Sequence, residues 1–296
     1  MFRFPSVLAL MIAVAFGATL MQSAFRAPGA HETSAPSAAG QTQPNGVTFA
    51  VIPQFDPRKL GAIWTPVITE LAARSGVRLS LVIPATMSEF QHGLAAGRYD
   101  FVYANPYQLL READRQGYRP LVRDAEPLRG ILVVRADSRV NSPAALDGKV
   151  LAVPSQNAVA ASLLLRAELE RGFQVRVKLL DAKTHGGAFL AVAGHDADAG
   201  GGADKTFRDL DPLIKGALKV IHTTGEIPPH AIAAHPRVPA HIAEAIRQAF
   251  LKLGTAPEGR AMLAKVQMRQ PVPASMDEYR PLTDWHLERY WIDDTD

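Results

Sequence analysis

Short apolar runs alternate with helical segments along most of this chain, and no other feature limits its possible folds as strongly. The run VTFAVIP, Val47 to Pro53, has the continuous apolar character of a strand buried on both faces. The next segment is a predicted helix, because Trp64, Ile68 and Leu71 recur at helical spacing and Gly76 can end it. Repeated strand and helix predict parallel sheets flanked by helices, an α/β fold.

The same alternation continues to the end of the chain. Further strands are predicted at 77–84, 99–106, 119–124, 130–137, 149–154, 175–181, 197–202, 218–224 and 229–236. Further helices are predicted at 88–96, 107–117, 142–148, 158–171, from about 185, and at 205–214, 240–253, 257–266 and 276–291. We expect Gly172 to end the helix at 158–171, because glycine is favoured just after a helix.

The N-terminus has the pattern of a secretory signal. Arg3 precedes the apolar run from Ser6 to Leu20, and the first acidic residue is Glu32. This run is shorter than the roughly 20 residues that cross a bilayer as a helix, so a cleaved signal peptide over 1–27 is favoured over an uncleaved anchor. Residues 28–46 are mostly small and polar and are predicted to be a flexible linker, because they can bury little apolar surface.

Composition excludes several chemistries. The 296 residues are enough for two domains, and the absence of cysteine rules out disulfides, thiolate metal sites and a cysteine nucleophile. The formal charge is only +3, and Lys and Arg form no run interleaved with aromatics, so we expect no nucleic-acid partner.

The sequence contains no complete motif for catalysis or metal binding. Three glycines followed by Lys205 and Thr206 suggest a phosphate-binding loop, but Ala199 and Asp204 stand where that pattern needs glycine. No nucleophile motif is found, and the histidines near Pro236 lack metal-ligand spacing. We therefore expect no catalytic residues, no metal and no cofactor.

The segment PSQNA, which precedes the helix at 158–171, has two interpretations. Ser155 and Asn157 are favoured helix caps, which is the ordinary structural role. The helix start also offers N–H groups and a positive dipole end, which suit an anion. In open α/β sheets, ligands bind beyond the carboxyl ends of strands, where this segment is expected to lie.

Five segments in order resemble the phosphate/phosphite/phosphonate-binding family of ABC-transporter solute receptors. They are VIPQFDPRKLGAIWTPVITELAARSG, GLAAGRYDFVYANPYQLL, LRGILVVRADSRVNSPAALDGKVLAVPS, THGGAFLAVAGHDADAGGGADKTF and GEIPPHAIAAHPRVPAHIAEAIRQAFLKL. The likeness covers Val47 to about Trp285. It implies a type II periplasmic-binding fold with two lobes, each a mostly parallel sheet flanked by helices, joined by two crossover strands. Lobe 1 would comprise 47–128 and 225–296, and lobe 2 would comprise 129–224.

The resemblance also implies a set of ligand-binding residues. Ser155 with Asn157, His185, and Tyr107 or Tyr103 match positions that hold the anion in the family. Loop position adds Asn105 and Phe55 as candidates, and Asp198 is a further candidate that would meet a cationic group on the ligand. The family pattern has a Ser/Thr cluster where this chain has SQNA, which leaves fewer hydroxyl groups for a phosphorus oxyanion.

The expected function is capture of a small oxyanion, such as phosphonate, phosphite or phosphate, by a monomer in the periplasm for an ABC permease. The alternative is a periplasmic sensor that binds a non-phosphorus ligand and signals to a membrane partner. An exported enzyme on the same fold is a third class, and it lacks a catalytic constellation.

Overall fold

The computed structural model describes residues 46–292, whose strands form two sheets. The predicted signal peptide and nearly all of the predicted linker lie outside the described residues. The six-stranded sheet contains β1 (Val47–Val51), β2 (Leu79–Val82), β3 (Phe101–Ala104), β4 (Arg119–Asp124), β10 (Ala231–Ala234) and β11 (Pro271–Pro273), in the order β11-β4-β10-β3-β1-β2. The five-stranded sheet contains β5 (Gly130–Arg135), β6 (Val150–Val153), β7 (Lys178–Asp181), β8 (Ala199–Ala203) and β9 (Leu218–Thr223), in the order β7-β6-β8-β5-β9.

Most strands within each sheet point the same way. In the larger sheet β1 to β4 share one direction, and β10 is inserted antiparallel between β3 and β4. In the smaller sheet β6 to β9 share one direction, and β5 is inserted antiparallel between β8 and β9. The carboxyl ends of the parallel strands therefore gather at one edge of each sheet, which is where the loops of a binding site belong.

The chain passes between the sheets at two adjacent points. Leu128, before β5, and Ile227, after β9, form an antiparallel bridge in which each main-chain N–H donates to the other's carbonyl oxygen, at 2.9 and 3.0 Å. These paired connections are a hinge between two lobes, one built on each sheet. The exact lobe boundaries at 128/129 and 224/225 stay a prediction.

Helices cover the faces of both sheets. They are α1 (Pro57–Ser75), α2 (Met87–Ala95), α3 (Pro106–Gln116), α4 (Leu165–Phe173), α5 (His185–Ala193), α6 (Asp204–Arg208), α7 (Pro212–Gly216), α8 (Ala240–Leu253) and α9 (Pro257–Lys265). In α1 the carboxylate of Asp56 accepts from the N–H of Lys59 at the start, and Gly76 ends the helix at a φ of 71°. Within residues 46–292, no helix is both long enough and apolar enough to cross a membrane.

The long helix of lobe 2 differs from its prediction at both ends. It begins as a π-helical segment, Val159–Leu164, which continues into α4. Gly172 does not end it, because the helix continues to Phe173, whose ring packs 5.5 Å from that of His222. Gln174 then takes the left-handed conformation, at a φ of 57°.

Glycines let the π-helical segment lie directly on the second sheet. A Cβ on Gly201 in β8 would lie 2.1 Å from the carbonyl oxygen of Ala161, and one on Gly130 in β5 would lie 2.2 Å from that of Ala160. Both distances are far inside van der Waals contact, so only glycine permits this approach. The glycine run of β8 therefore serves close packing.

The C-terminal residues contact both lobes. They form three 3-10 turns, Met276–Glu278, Arg280–Trp285 and Leu287–Arg289. Tyr279 is buried in the core of lobe 1, and its hydroxyl donates to the carbonyl of Pro229 at 3.2 Å. Leu287 and Tyr290 instead pack on Leu163 and its neighbours at the start of the lobe 2 helix. The last turns therefore pack on both lobes, and the assignment of 225–296 to lobe 1 stays a prediction.

Candidate functional site

A cavity lies between the lobes at the carboxyl ends of the parallel strands. Its walls come from the loops after β1, β3, β6, β7 and β8 and from residues near the hinge. The cavity has a volume of about 60 Å³. Because roughly 10–15 Å³ by this measure holds one water, the cavity suits a ligand of a few non-hydrogen atoms.

The π-helical segment supplies the wall on the lobe 2 side. Its first residues, Val159, Ala160 and Ala161, line the cavity, and Ala158 before them makes no side-chain cap. The first N–H groups of a helix have no acceptor within the helix, and they stand at its positive dipole end. This wall therefore offers main-chain donors to an anion.

His185, the first residue of α5, adds a neutral donor. Its Nδ1 accepts a hydrogen bond from the main-chain N–H of Ala203 at 3.1 Å, so Nδ1 carries no proton. Burial lowers the pKa of His185 to about 4. The ring is therefore neutral near pH 7, with its proton on Nε2, which is the group left to donate to a ligand.

Tyr103 and His230 form the facing wall on the lobe 1 side. Their rings lie 5.4 Å apart, and the Tyr103 hydroxyl lies 3.4 Å from the carbonyl oxygen of Val266. Burial raises the pKa of Tyr103. Burial, helped by His185 and Lys205, lowers the pKa of His230 to about 3. Both side chains are therefore uncharged near pH 7.

Asn105 and Ser155 line the same cavity from opposite lobes. Asn105 caps α3, where its Oδ1 accepts from the N–H of Gln108 at 2.8 Å. The Ser155 hydroxyl oxygen accepts from the N–H of Asn157 at 3.3 Å, so its own proton stays available. The structure thus brings together Tyr103, Asn105, Ser155 and His185, whose contact with a ligand stays a prediction.

Asn157 is not at the cavity. Its amide nitrogen donates to the carbonyl of Ile292 at 2.7 Å, and its amide oxygen accepts from the N–H of Ile292 at 2.9 Å. Both functions of the amide are engaged by the C-terminal segment, which favours a structural role, and the ligand role stays a prediction. Asn157 holds the C-terminal segment beside the helix start.

Three other predicted residues also lie away from the cavity. Tyr107 packs on Trp291, with ring centroids 5.8 Å apart, and burial raises its pKa to about 12. Phe55 lines the outer cleft that leads to the cavity, with the ammonium of Lys59 3.9 Å from its ring centre. Asp198 lies before β8, at the amino end of the strand, where its carboxylate accepts from the N–H of Val150 at 2.9 Å.

Sequence reasoning missed a buried ion pair at the cavity. The Lys205 ammonium lies 2.9 Å from Oδ2 of Asp124, and both side chains line the cavity. Asp124 ends β4, whereas Lys205 follows β8, so the pair joins the two lobes. The sequence places both residues at the carboxyl ends of predicted strands, where site residues are expected. No feature of the sequence indicates that they pair with each other.

Two α/β lobes, a bonded hinge and a small cavity of converging donors define a two-lobed binding protein of the type II periplasmic class. The chain belongs to the family described as ABC transporter, phosphonate, periplasmic substrate-binding protein, whose sequence pattern matches residues 49–279. The family resemblance and the fold class predicted from the sequence are thereby confirmed. A comparison with curated proteins finds no match.

Solved structures share the fold at low sequence identity. A binding protein component of an ABC phosphonate transporter from Pseudomonas aeruginosa superposes with a TM-score of 0.70 at 18% identity, covering 82% of this chain and 87% of that one. PhnD1 from Prochlorococcus marinus, solved with methylphosphonate, gives 0.75 at 14% identity, covering 84% and 100%. A Xanthomonas citri protein bound to chloride ion gives 0.66 at 18% identity, covering 82% and 98%.

Proposed function

We propose that this chain is a periplasmic receptor that captures a small phosphorus oxyanion, such as phosphonate, phosphite or phosphate, between its lobes for an ABC permease. The observation that carries the proposal is the meeting of the helix start at Val159–Ala161 with the neutral donor of His185 in one small cavity. Both offer hydrogen-bond donors without adding a charge. Donors fixed in a low-dielectric site bind an anion more strongly than they would in water.

The ligand contacts both lobes in this proposal. Tyr103 and Asn105 face it from lobe 1, whereas the helix start and His185 face it from lobe 2. A ligand that touches both walls binds the closed form better than an open one and so shifts the population toward the closed form. The hinge at Leu128 and Ile227 is the axis about which the lobes would close. The closed monomer is the form that a permease would recognise.

The site favours binding over catalysis. Ser155, the hydroxyl that lines the cavity beside the helix start, accepts from the Asn157 N–H, and no histidine of the described residues is bonded to it. A serine nucleophile needs a base within hydrogen-bond reach. We therefore infer that the chain is not an enzyme, and its family is a transport component.

The test is a thermal-shift and calorimetric panel of phosphate, phosphite, methylphosphonate, ethylphosphonate, sulfate and acetate. A ligand at 1,000 times its Kd adds about 4 kcal/mol of stability. For a domain of this size that corresponds to a rise in Tm of roughly 8–16 °C. We expect such a rise with a phosphorus oxyanion. No shift with any phosphorus compound, or a shift with acetate alone, would overturn the proposal.

A further inference from the structure

The ion pair between Asp124 and Lys205 is buried as deeply as the core. The two side chains are 3% and 8% exposed, and the ammonium lies 2.9 Å from Oδ2 of Asp124. Burying one charge alone is very unfavourable, so such groups persist only where each has its partner. This pair is formed across the lobes, at the wall of the cavity itself.

Both oxygens of the Asp124 carboxylate already accept hydrogen bonds, and the Lys205 ammonium has further acceptors on Glu126. Oδ1 of Asp124 accepts from the main-chain N–H of Gln270 at 3.1 Å and lies 3.4 Å from that of Glu126. The Lys205 ammonium also lies 3.3 Å from the carbonyl oxygen of Glu126 and 3.4 Å from its carboxylate. Three of the roughly four lone-pair positions of the Asp124 carboxylate are therefore occupied, so a cation brought by a ligand would compete with the Lys205 ammonium at Oδ2.

Among the described residues, Asp124 is the only carboxylate that lines the cavity. An ammonium group on a ligand could gain a charged partner there only by displacing Lys205. Lys205 is tethered to the protein, so it competes at high effective concentration. A displaced Lys205 would in turn lose its own partner in a low-dielectric site.

Part of the remaining wall of the cavity is apolar and suits an uncharged substituent. Ile52, Met87, Leu128 and Met268 line it from lobe 1 and the hinge, beside the alanines of the helix start on the lobe 2 side. An alkyl group loses no hydrogen bond to water when it enters such a wall, whereas an ammonium group loses three.

We propose that Lys205 is a built-in cation that occupies the ammonium position of the cavity against Asp124, so that the site selects small oxyanions without an amino group. This inference rests on the proposed function for the identity of the anion. It makes Lys205 and Asp124 residues that determine specificity, and it assigns the ligand class as alkyl or unsubstituted oxyanions.

The test uses pairs of ligands with equal numbers of non-hydrogen atoms. Ethylphosphonate is compared with aminomethylphosphonate, ethanesulfonate with aminomethanesulfonate, and propionate with glycine, by calorimetry on the wild-type protein at pH 7. We expect the amino member of the bound pair to bind at least about 100-fold more weakly, the scale of leaving a charged group without a partner. Equal or tighter binding of the amino member would overturn the inference.

Two variants test whether Asp124 can accept the ammonium group of a ligand once Lys205 is removed. Lys205→Ala removes the built-in cation and leaves room for the ligand's own ammonium, so we expect aminomethylphosphonate to gain affinity over ethylphosphonate by about 100-fold relative to wild type. The matched control, Lys205→Ala with Asp124→Asn, removes the acceptor as well and should show no such gain. A gain of the same size in both variants would overturn the inference, and the wild-type ligand pairs decide it if Lys205→Ala does not fold.

The three ligand series separate this inference from the proposed function. If no phosphonate binds, and neither phosphate nor phosphite binds in the panel above, but sulfonates or carboxylates do, the proposed function fails, and the discrimination within the bound series still decides the role of Lys205. If ethylphosphonate and aminomethylphosphonate bind equally, the proposed function stands and the inference fails. If none of the six compounds binds, the inference is overturned, and the proposed function fails too unless phosphate or phosphite binds in the panel above.

Discussion

The main-chain N–H of Ala203, at the carboxyl end of β8, donates to Nδ1 of His185, at the start of α5, at 3.1 Å. This bond sets the tautomer of the ring, because an Nδ1 that accepts a hydrogen bond from a neighbouring N–H cannot carry a proton of its own. The carboxyl end of β8 therefore fixes the tautomer in which Nε2 of His185 can donate into the cavity.

His185→Ala removes this donor, and we expect the affinity for the phosphorus oxyanion to fall. Leaving one polar group of a buried ligand without its partner costs about 1–3 kcal/mol, which is about 5- to 150-fold in Kd. Calorimetry on the purified protein measures the change. His241→Ala, an exposed histidine on α8, is the matched control and should bind as wild type does. Unchanged affinity in His185→Ala would remove this residue from the site.

Stability should fall as the pH drops below about 6.5. Burial lowers the folded-state pKa of His185 to about 4 and that of His230 to about 3, both from 6.5. Between those values and 6.5 the unfolded chain binds protons that the folded chain does not, so unfolding is favoured as pH falls. By pH 4.5 the loss should reach on the order of 2–3 kcal/mol for each ring.

Urea unfolding between pH 7.5 and 4.5 measures this dependence. His230→Gln should reduce the slope of stability against pH in that window, because the protonation difference of that ring is gone. The variant His241→Ala again serves as the control. A wild-type slope that His230→Gln leaves unaltered would contradict the assignment of a buried neutral ring.

Gly201→Ala should damage both stability and binding. The added Cβ would lie 2.1 Å from the carbonyl of Ala161, so the π-helical segment must move away from β8. Overpacking of this kind costs about 1–3 kcal/mol. Gly172→Ala is the control, because its Cβ meets nothing within 4 Å and alanine favours the helix by roughly 0.5–1 kcal/mol. Thermal unfolding should give a lower Tm than wild type for Gly201→Ala and a higher Tm for Gly172→Ala. Calorimetry measures the loss of binding in Gly201→Ala.

Asn157→Ala should lower stability and leave affinity nearly unchanged. The variant loses both hydrogen bonds to Ile292, at 2.7 and 2.9 Å, and each is worth about 1 kcal/mol. A Tm measurement and a Kd measurement on the same sample separate the two effects. A loss of affinity as large as that in His185→Ala would restore Asn157 to the binding site.

Much of the fold was predictable because strands and helices here have strong local signals. The run VTFAVIP and the stripe of Trp64, Ile68 and Leu71 predict β1 and α1, and Gly76 ends that helix as expected. The short edge strand β11, Pro271–Pro273, was not predicted, because two prolines argue against a strand. They are tolerated there because β11 pairs on one side only, with β4.

The site was less predictable than the fold. Tyr103 and His185 follow from the resemblance and line the cavity, but Tyr107 and Asn157 stand only a few residues from lining positions and turn away. The direction of those side chains depends on Trp291 and Ile292, whose contacts lie far along the sequence. The pairing of Asp124 with Lys205 depends in the same way on how the lobes meet.

The helix start that lines the cavity is packed from behind by residues near the C-terminal end of the described chain. Arg166, in the lobe 2 helix, donates to the carbonyl of Tyr290, which lies 124 positions later, and Asn157 binds Ile292 across 135 positions. Contacts between such distant positions form late, because a long loop must close before they can contribute. The start of the lobe 2 helix is therefore fully packed only after residues about 125 to 135 positions later have joined it, so the order of this wall depends on contacts that no local segment of the chain can make.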